Sequence, residues 1–164
     1  MVVMPALDPS RDSLRHAVAT LAYRGGKAVR GAPSDFGDFR AGGGGRTAGA
    51  ILSHIGDLLD WALSIARSKQ EFHVSDPLAW EQEAQRFFAS LTAFDAYLAS
   101  PEPLGAPAEQ LFQGPVADAL THVGQITMLR RLSGAPIRGE NYFQAEIVAG
   151  RVGPEQAAPR KEFD

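Results

Sequence analysis

The chain has 164 residues, 45% of them hydrophobic and 21% charged, which is the make-up of one globular domain and not of a disordered or fibrous protein. Its net charge of −3 and isoelectric point near 5.8 speak against a surface that neutralises phosphates, so nucleic acid is not an expected partner. It has no cysteine, which removes disulfides, thiolate ligands and a protein-borne thiol nucleophile together; any metal must sit on His, Asp or Glu.

Met1 to Pro9 carries neither a basic stretch nor an apolar one, and no apolar run approaches the ~20 residues that span a bilayer. The expectation is a cytoplasmic protein with no membrane partner. Asp8-Pro9 then opens the first helix, the carboxylate capping free N–H groups and the proline suiting the first helical position. Leu14, Ala17, Val18 and Leu21 repeat at helical spacing. The helix should fray or stop among Gly25, Gly26 and Gly31, with Pro33 beyond. A glycine-rich loop over 31–45 follows. The run Gly42 to Gly45 has no strand before it and no Gly-Lys-Ser/Thr ending, so it reads as a flexible connection and not as a phosphate cradle.

The second helix is expected over about 46–67, with Ile51, Ile55, Leu58, Ala62 and Ile65 at spacings of three and four. Asp76-Pro77 opens a third, with Trp80, Ala84, Phe87, Phe88, Leu91, Phe94 and Leu98 on one face and Pro101 and Pro103 at its end. A fourth begins near Gly114-Pro115, with a possible lead-in from Pro107, and runs to Ser133; Gly134 suits a left-handed cap. Beyond it lie a short helical candidate over 141–149 and a polar tail. No alternating pattern supports a sheet. The fold class is therefore all-α, a four-helix bundle with a short C-terminal helix and tail: one domain over 1–164, core about 8–134, extension 135–164.

Polar residues inside apolar stripes carry the functional information. At about 100° per residue, with Asp118 at zero, His122 falls near 40°, Gln125 near 340°, Leu129 near 20° and Leu132 near 320°, so Asp118 and His122 are expected to point into the core. A buried carboxylate there needs a partner: His122, an arginine from another helix, or a cation. His54 lies at the edge of the second helix's stripe, where facing helices could bring it to Asp118 and His122. Two imidazoles and a carboxylate can hold one face of a divalent cation and leave other positions open. Gln125 could orient a bound water or ligand, or bond backbone. His16, on the polar side of its helix, and His73, in a loop, are not expected ligands. Trp61, Phe87, Phe88 and Phe94 read as core.

These residues resemble the DinB-like or YfiT-like metalloenzyme family. "ILSHIGDLLDWA" supplies His54, and "DALTHVGQITMLRRLSG" supplies Asp118, His122, Gly124, Gln125 and the run to Gly134; the likeness covers about residues 10–134. It implies a four-helix bundle that holds a metal through one histidine on the second helix and a His-x-x-x-His pair on the last, with Asp118 here replacing the first histidine of that pair. The resemblance further implies a homodimer and a low-molecular-weight-thiol-dependent S-transferase or isomerase, using a thiol such as mycothiol, bacillithiol or glutathione together with a small-molecule substrate. His54, Asp118 and His122 would then hold Zn²⁺, Ni²⁺ or Fe²⁺, and Arg138, or Arg24, Lys27 and Arg30, would receive a substrate carboxylate. Metal-assisted hydrolysis by the same triad, a non-catalytic metal-binding role associated with stress, and a metal-free bundle stand as alternatives.

Overall fold

The computed structural model describes residues 8–163. Helix α1 spans Pro9–Val29, and the Asp8 carboxylate accepts a 3.0 Å hydrogen bond from the Ser10 N–H at its start. The helix does not stop at Gly25 and Gly26. A Cβ on Gly25 would lie 2.5 Å from Phe87 Cζ, so the bare backbone is what admits the buried ring. Burying that ring offsets the loss of about 1 kcal/mol that glycine brings to a helix interior. The left-handed residue that follows the helix is Gly31, at φ +68.

Helix α2 covers Ala48–Ala66, capped by Thr47, whose hydroxyl accepts from the Ala50 N–H at 3.1 Å. Its buried face includes Ile51, Ile55, Leu58 and Ala62, as the spacing predicts. The connection from α1 contains one 3-10 turn, Phe36–Asp38, and the Phe36 ring packs edge-on against Trp80 at 4.9 Å.

Helix α3 covers Trp80–Ala99 and starts later than the Asp76-Pro77 pair suggests. The reason lies in three hydrogen bonds made by the segment before it. Ser75 is drawn to α2, its N–H and hydroxyl donating to the Asp57 carboxylate at 3.0 and 2.7 Å, and the Leu78 N–H, two residues before the helix, donates to Glu83 Oε1 at 2.9 Å. These bonds hold the segment outside the helix, and the N-cap residue, Ala79, makes no side-chain cap.

A single turn, α4 (Ala108–Leu111), runs through a π turn over Phe112–Val116 into α5 (Ala117–Leu132), and Gly134 follows at φ +83. Each long helix packs on two others, in the cycle α1, α3, α2, α5. The molecule is thus mainly helical, and no helix among the described residues is long and apolar enough to cross a membrane.

The C-terminal part departs from expectation. The helix proposed over 141–149 is only a 3-10 turn, Tyr142–Gln144. A small antiparallel sheet is present, β1 (Gly139–Glu140) pairing with β2 (Glu162–Phe163), with Gly139 opposite Phe163. Two-residue strands are too short to show an alternating pattern. What fixes them is polar: the Glu140 carboxylate is buried against α1, accepting from the Tyr23 hydroxyl at 2.5 Å and from Lys27 Nζ at 2.7 Å. The segment is also not uniformly polar surface, since Val152 joins the core.

Candidate metal centre

Helices α2 and α5 bring three ligand-type side chains together. One donor atom each from His54, Asp118 and His122 lie within 4.8 Å of one another, and the group could hold a metal ion. His54 Nε2 is 3.9 Å from Asp118 Oδ2, and His122 Nε2 is 3.4 Å from Asp118 Oδ1. Donors bound to one ion at about 2.0–2.2 Å can be no more than about 4.4 Å apart, so both Asp118 spacings lie inside that limit, while the cluster, whose donors lie within 4.8 Å of one another, has to draw in slightly to hold one ion. The two imidazole rings meet edge to face, 4.8 Å between centroids.

The reason the sequence offered for Asp118 does not hold. Its side chain is half exposed, at 49%. The buried face of α5 is Ala119, Val123, Ile126, Leu129 and Arg130, while Met128 and Leu132 are exposed. The true stripe is therefore centred about 100° from Asp118. Asp118 and His122 stand at the rim of the helix pair, where water and ligands reach them. A carboxylate there needs no cation to repay burial; its relevance rests on what it stands beside.

The electrostatics favour neutral imidazole. Burial holds His54 below the ordinary histidine value, the charge of His122 and then of Arg46 adds to this, and Asp118 and Asp57 oppose it. A neutral ring is the form that binds a cation. His122 is oriented by Gln125, whose Oε1 lies 2.8 Å from Nδ1. An amide oxygen only accepts, so Nδ1 carries the proton of this contact, and Nε2 is the nitrogen that faces Asp118, 3.4 Å from Oδ1.

Around the centre, Phe72 packs edge-on to both His54 and Trp61, at 6.4 and 5.7 Å. Trp61 is only partly buried, contrary to its reading as core, and with Gln113, Ala117, Asp118 and Thr121 it lines a cavity of about 430 Å³. Neither Phe72 nor Arg46 carries a sequence signal, since the first lies in an irregular connection and the second precedes its helix. Gln113 lies in the π turn, where helical spacing does not apply.

Arg86 braces α2 from α3. It donates to the Ser53 carbonyl at 3.2 Å, to Asp57 at 2.6 Å and to Asp60 at 2.9 Å, holding the turns on either side of His54. A Cβ on Gly56 would lie 2.9 Å from the guanidinium carbon, so a side chain there would make the arginine shift from this position.

The other predicted residues lie elsewhere. Arg138 is on the far side of α5, 3.4 Å from Glu162 and lining a different cavity, and so is not placed to receive a substrate at the triad. Lys27 is taken up by Glu140, and the Arg24 guanidinium stacks 4.2 Å from the centre of the Tyr142 ring. Arg30 is exposed at the end of α1, its carbonyl accepting from Arg130. His16 and His73 are exposed and not in the ligand cluster. Compared with known proteins, the chain matches no family model, no curated protein and no solved structure.

Proposed function

We propose that the chain is a divalent-metal-dependent enzyme built as a four-helix bundle of the DinB-like kind, acting as a low-molecular-weight-thiol-dependent S-transferase or isomerase. The observation that carries this reading is the His54, Asp118 and His122 cluster at the rim between α2 and α5. Its three donors belong to facing helices, as bundle metal sites do, and one of them, Asp118, lines an open cavity.

Zn²⁺, Ni²⁺ or Fe²⁺ held by these residues would act as a Lewis acid that lowers the pKa of a bound thiol. The protein's own contribution is positional. Gln125 fixes the His122 tautomer, burial keeps His54 neutral, and Asp118 supplies a negative charge that favours a cation over a proton shared between rings. Trp61 gives the adjoining cavity an apolar wall for the small-molecule substrate, and the absence of cysteine agrees with a thiol brought in as cosubstrate.

The test is elemental analysis of untagged protein purified without chelator, beside His54→Ala, Asp118→Ala and His122→Ala. Near-stoichiometric metal in the parent, lost in these variants and kept in His16→Ala and His73→Ala, is the expected result. Assays with candidate thiols and electrophiles then follow. No metal in the parent after soaking with Zn²⁺, Ni²⁺ or Fe²⁺, or equal content in all variants, would sink the reading.

A further inference from the structure

On the opposite side of α5 from the metal centre lies a second cavity, of about 400 Å³, between α5, α1 and the C-terminal segment. Its lining includes Arg24, Arg131 and Arg138, together with Thr127, Tyr142 and Gly124. At about 100° per residue, Gly124, Thr127 and Arg131 lie near 240°, 180° and 220° from Asp118, so one helix presents two separate faces to two cavities.

The charge around this cavity is unlike that of the whole chain, whose net charge is −3. Three arginines line it. The buried Glu140 is already satisfied by Tyr23 and Lys27, and Glu162 is shared between Lys27 at 3.5 Å and Arg138 at 3.4 Å. Among the described residues the positive charge of Arg24 and Arg131 is therefore left in excess at the cavity. Arg24 lies over the Tyr142 ring, which holds its guanidinium against the wall.

A second observation concerns space. Gly25, Gly26, Gly49 and Gly56 in α1 and α2 each lie where a Cβ would press on a neighbour at 3.0 Å or less. Gly124 is in mid-helix, at a cost of about 1 kcal/mol relative to alanine, yet a Cβ there would meet nothing within 4 Å. Close packing does not demand this glycine. The open space it faces is the cavity.

We infer that this cavity is a binding site for a small organic anion, one that pairs a carboxylate or phosphate group with Arg24 and Arg131 and lays an apolar body against Tyr142 and the bare backbone at Gly124. Leu120, Val123 and Ile137 supply the apolar part of the lining, and the guanidinium groups supply planar donors that match such oxygens. The site is independent of the metal centre and does not rest on the function proposed for it.

Phenyl phosphate, which joins an aromatic ring to a dianion, is the probe, with phenol and inorganic phosphate as controls. Titrated into ¹⁵N-labelled full-length protein, it should give saturable shifts at the Gly124, Thr127, Arg131 and Tyr142 amides, and bind more tightly than either control. Arg24→Gln and Arg131→Gln, both exposed changes that leave the core intact, should each weaken it about tenfold, the loss of one charge-assisted pair. Gly124→Leu should abolish binding by filling the space, and His122→Ala should leave it unchanged. Shifts that do not saturate, that centre on His54 and Asp118, or that survive both arginine variants would overturn the assignment. Binding of phenol or of inorganic phosphate as tight as that of phenyl phosphate would do the same.

Discussion

Gln125 Oε1 lies 2.8 Å from Nδ1 of His122, and this one contact decides which face of the imidazole the rest of the site meets. Without it the ring could turn over or change tautomer, and Nε2 would carry a proton where a cation is to bind. Gln125→Leu should therefore lower metal affinity about 10- to 100-fold while leaving helix content unchanged. Gln125→Glu, which keeps an acceptor oxygen, should lose far less. Competition against a chromophoric zinc chelator reads both, and equal affinity in Gln125→Leu and the parent would show that the contact orients nothing.

The approach of α1 to α3 depends on the missing side chain at Gly25. Gly25→Ala places a methyl group 2.5 Å from Phe87 Cζ, on a ring that is almost wholly buried. Alanine favours a helix more than glycine does, so helix propensity alone predicts stabilisation. Overpacking should win, with a net loss of about 1–3 kcal/mol by urea unfolding. A gain in stability would show that the two helices can move apart at little cost.

Glu140 is the polar anchor of the C-terminal segment. Glu140→Ala leaves the Lys27 ammonium buried without its closest carboxylate and the Tyr23 hydroxyl without its acceptor. The expected loss is about 3–5 kcal/mol, the range for breaking one partner out of a buried pair. Chemical denaturation measures it. Replacing Lys27 by Met and Tyr23 by Phe together with Glu140 by Leu should recover most of that loss, because three apolar side chains leave neither a charge nor a hydroxyl stranded.

Asp57 gives the fold a defined response to acid. Burial alone would raise its pKa, but hydrogen bonds from the Ser75 side chain and backbone and from Arg86 outweigh this and hold it below its ordinary value of 3.8. A carboxyl depressed in the folded state contributes stability that is fully present above 3.8 and is lost as pH falls through the lower folded value. Asp57→Asn should be less stable than the parent at pH 7 by about 1–3 kcal/mol, with the difference shrinking below pH 3.8. Urea midpoints across that range provide the measurement. A difference that stays constant with pH would locate the effect in packing and not in charge.

The long helices are legible in the sequence because each has an apolar repeat, and two boundaries are legible with them: Asp8-Pro9 at the start of α1 and Gly134 after α5. The features that escape such reading depend on partners far along the chain. Nothing near Gly25 announces Phe87, and Glu140 gives no sign of Tyr23 or Lys27 more than a hundred residues earlier. At the candidate site, residue identities were legible and their environment was not. The arc around Asp118 takes in Leu129, Met128 and Leu132, but of these only Leu129 is buried, so counting apolar neighbours placed the carboxylate too deep. Cavity-lining residues such as Gln113 lie where the backbone leaves regular helical geometry and periodicity has no purchase.

The π turn over Phe112–Val116 has a further consequence for how the centre is written into the chain. A π turn holds one residue more than the α-helical path between the same two points, so the extra residue is absorbed within the turn and the helix on either side keeps its phase. Deleting one residue between Leu111 and Ala117 should therefore let α4 run on into α5 as unbroken α-helix, with Asp118 and His122 still aimed at His54. What the extra residue changes is local: Gln113 and Gly114 lie in the turn and line the cavity beside Asp118. The wall of the cavity can thus be lengthened or shortened by one residue while the three ligands keep their address.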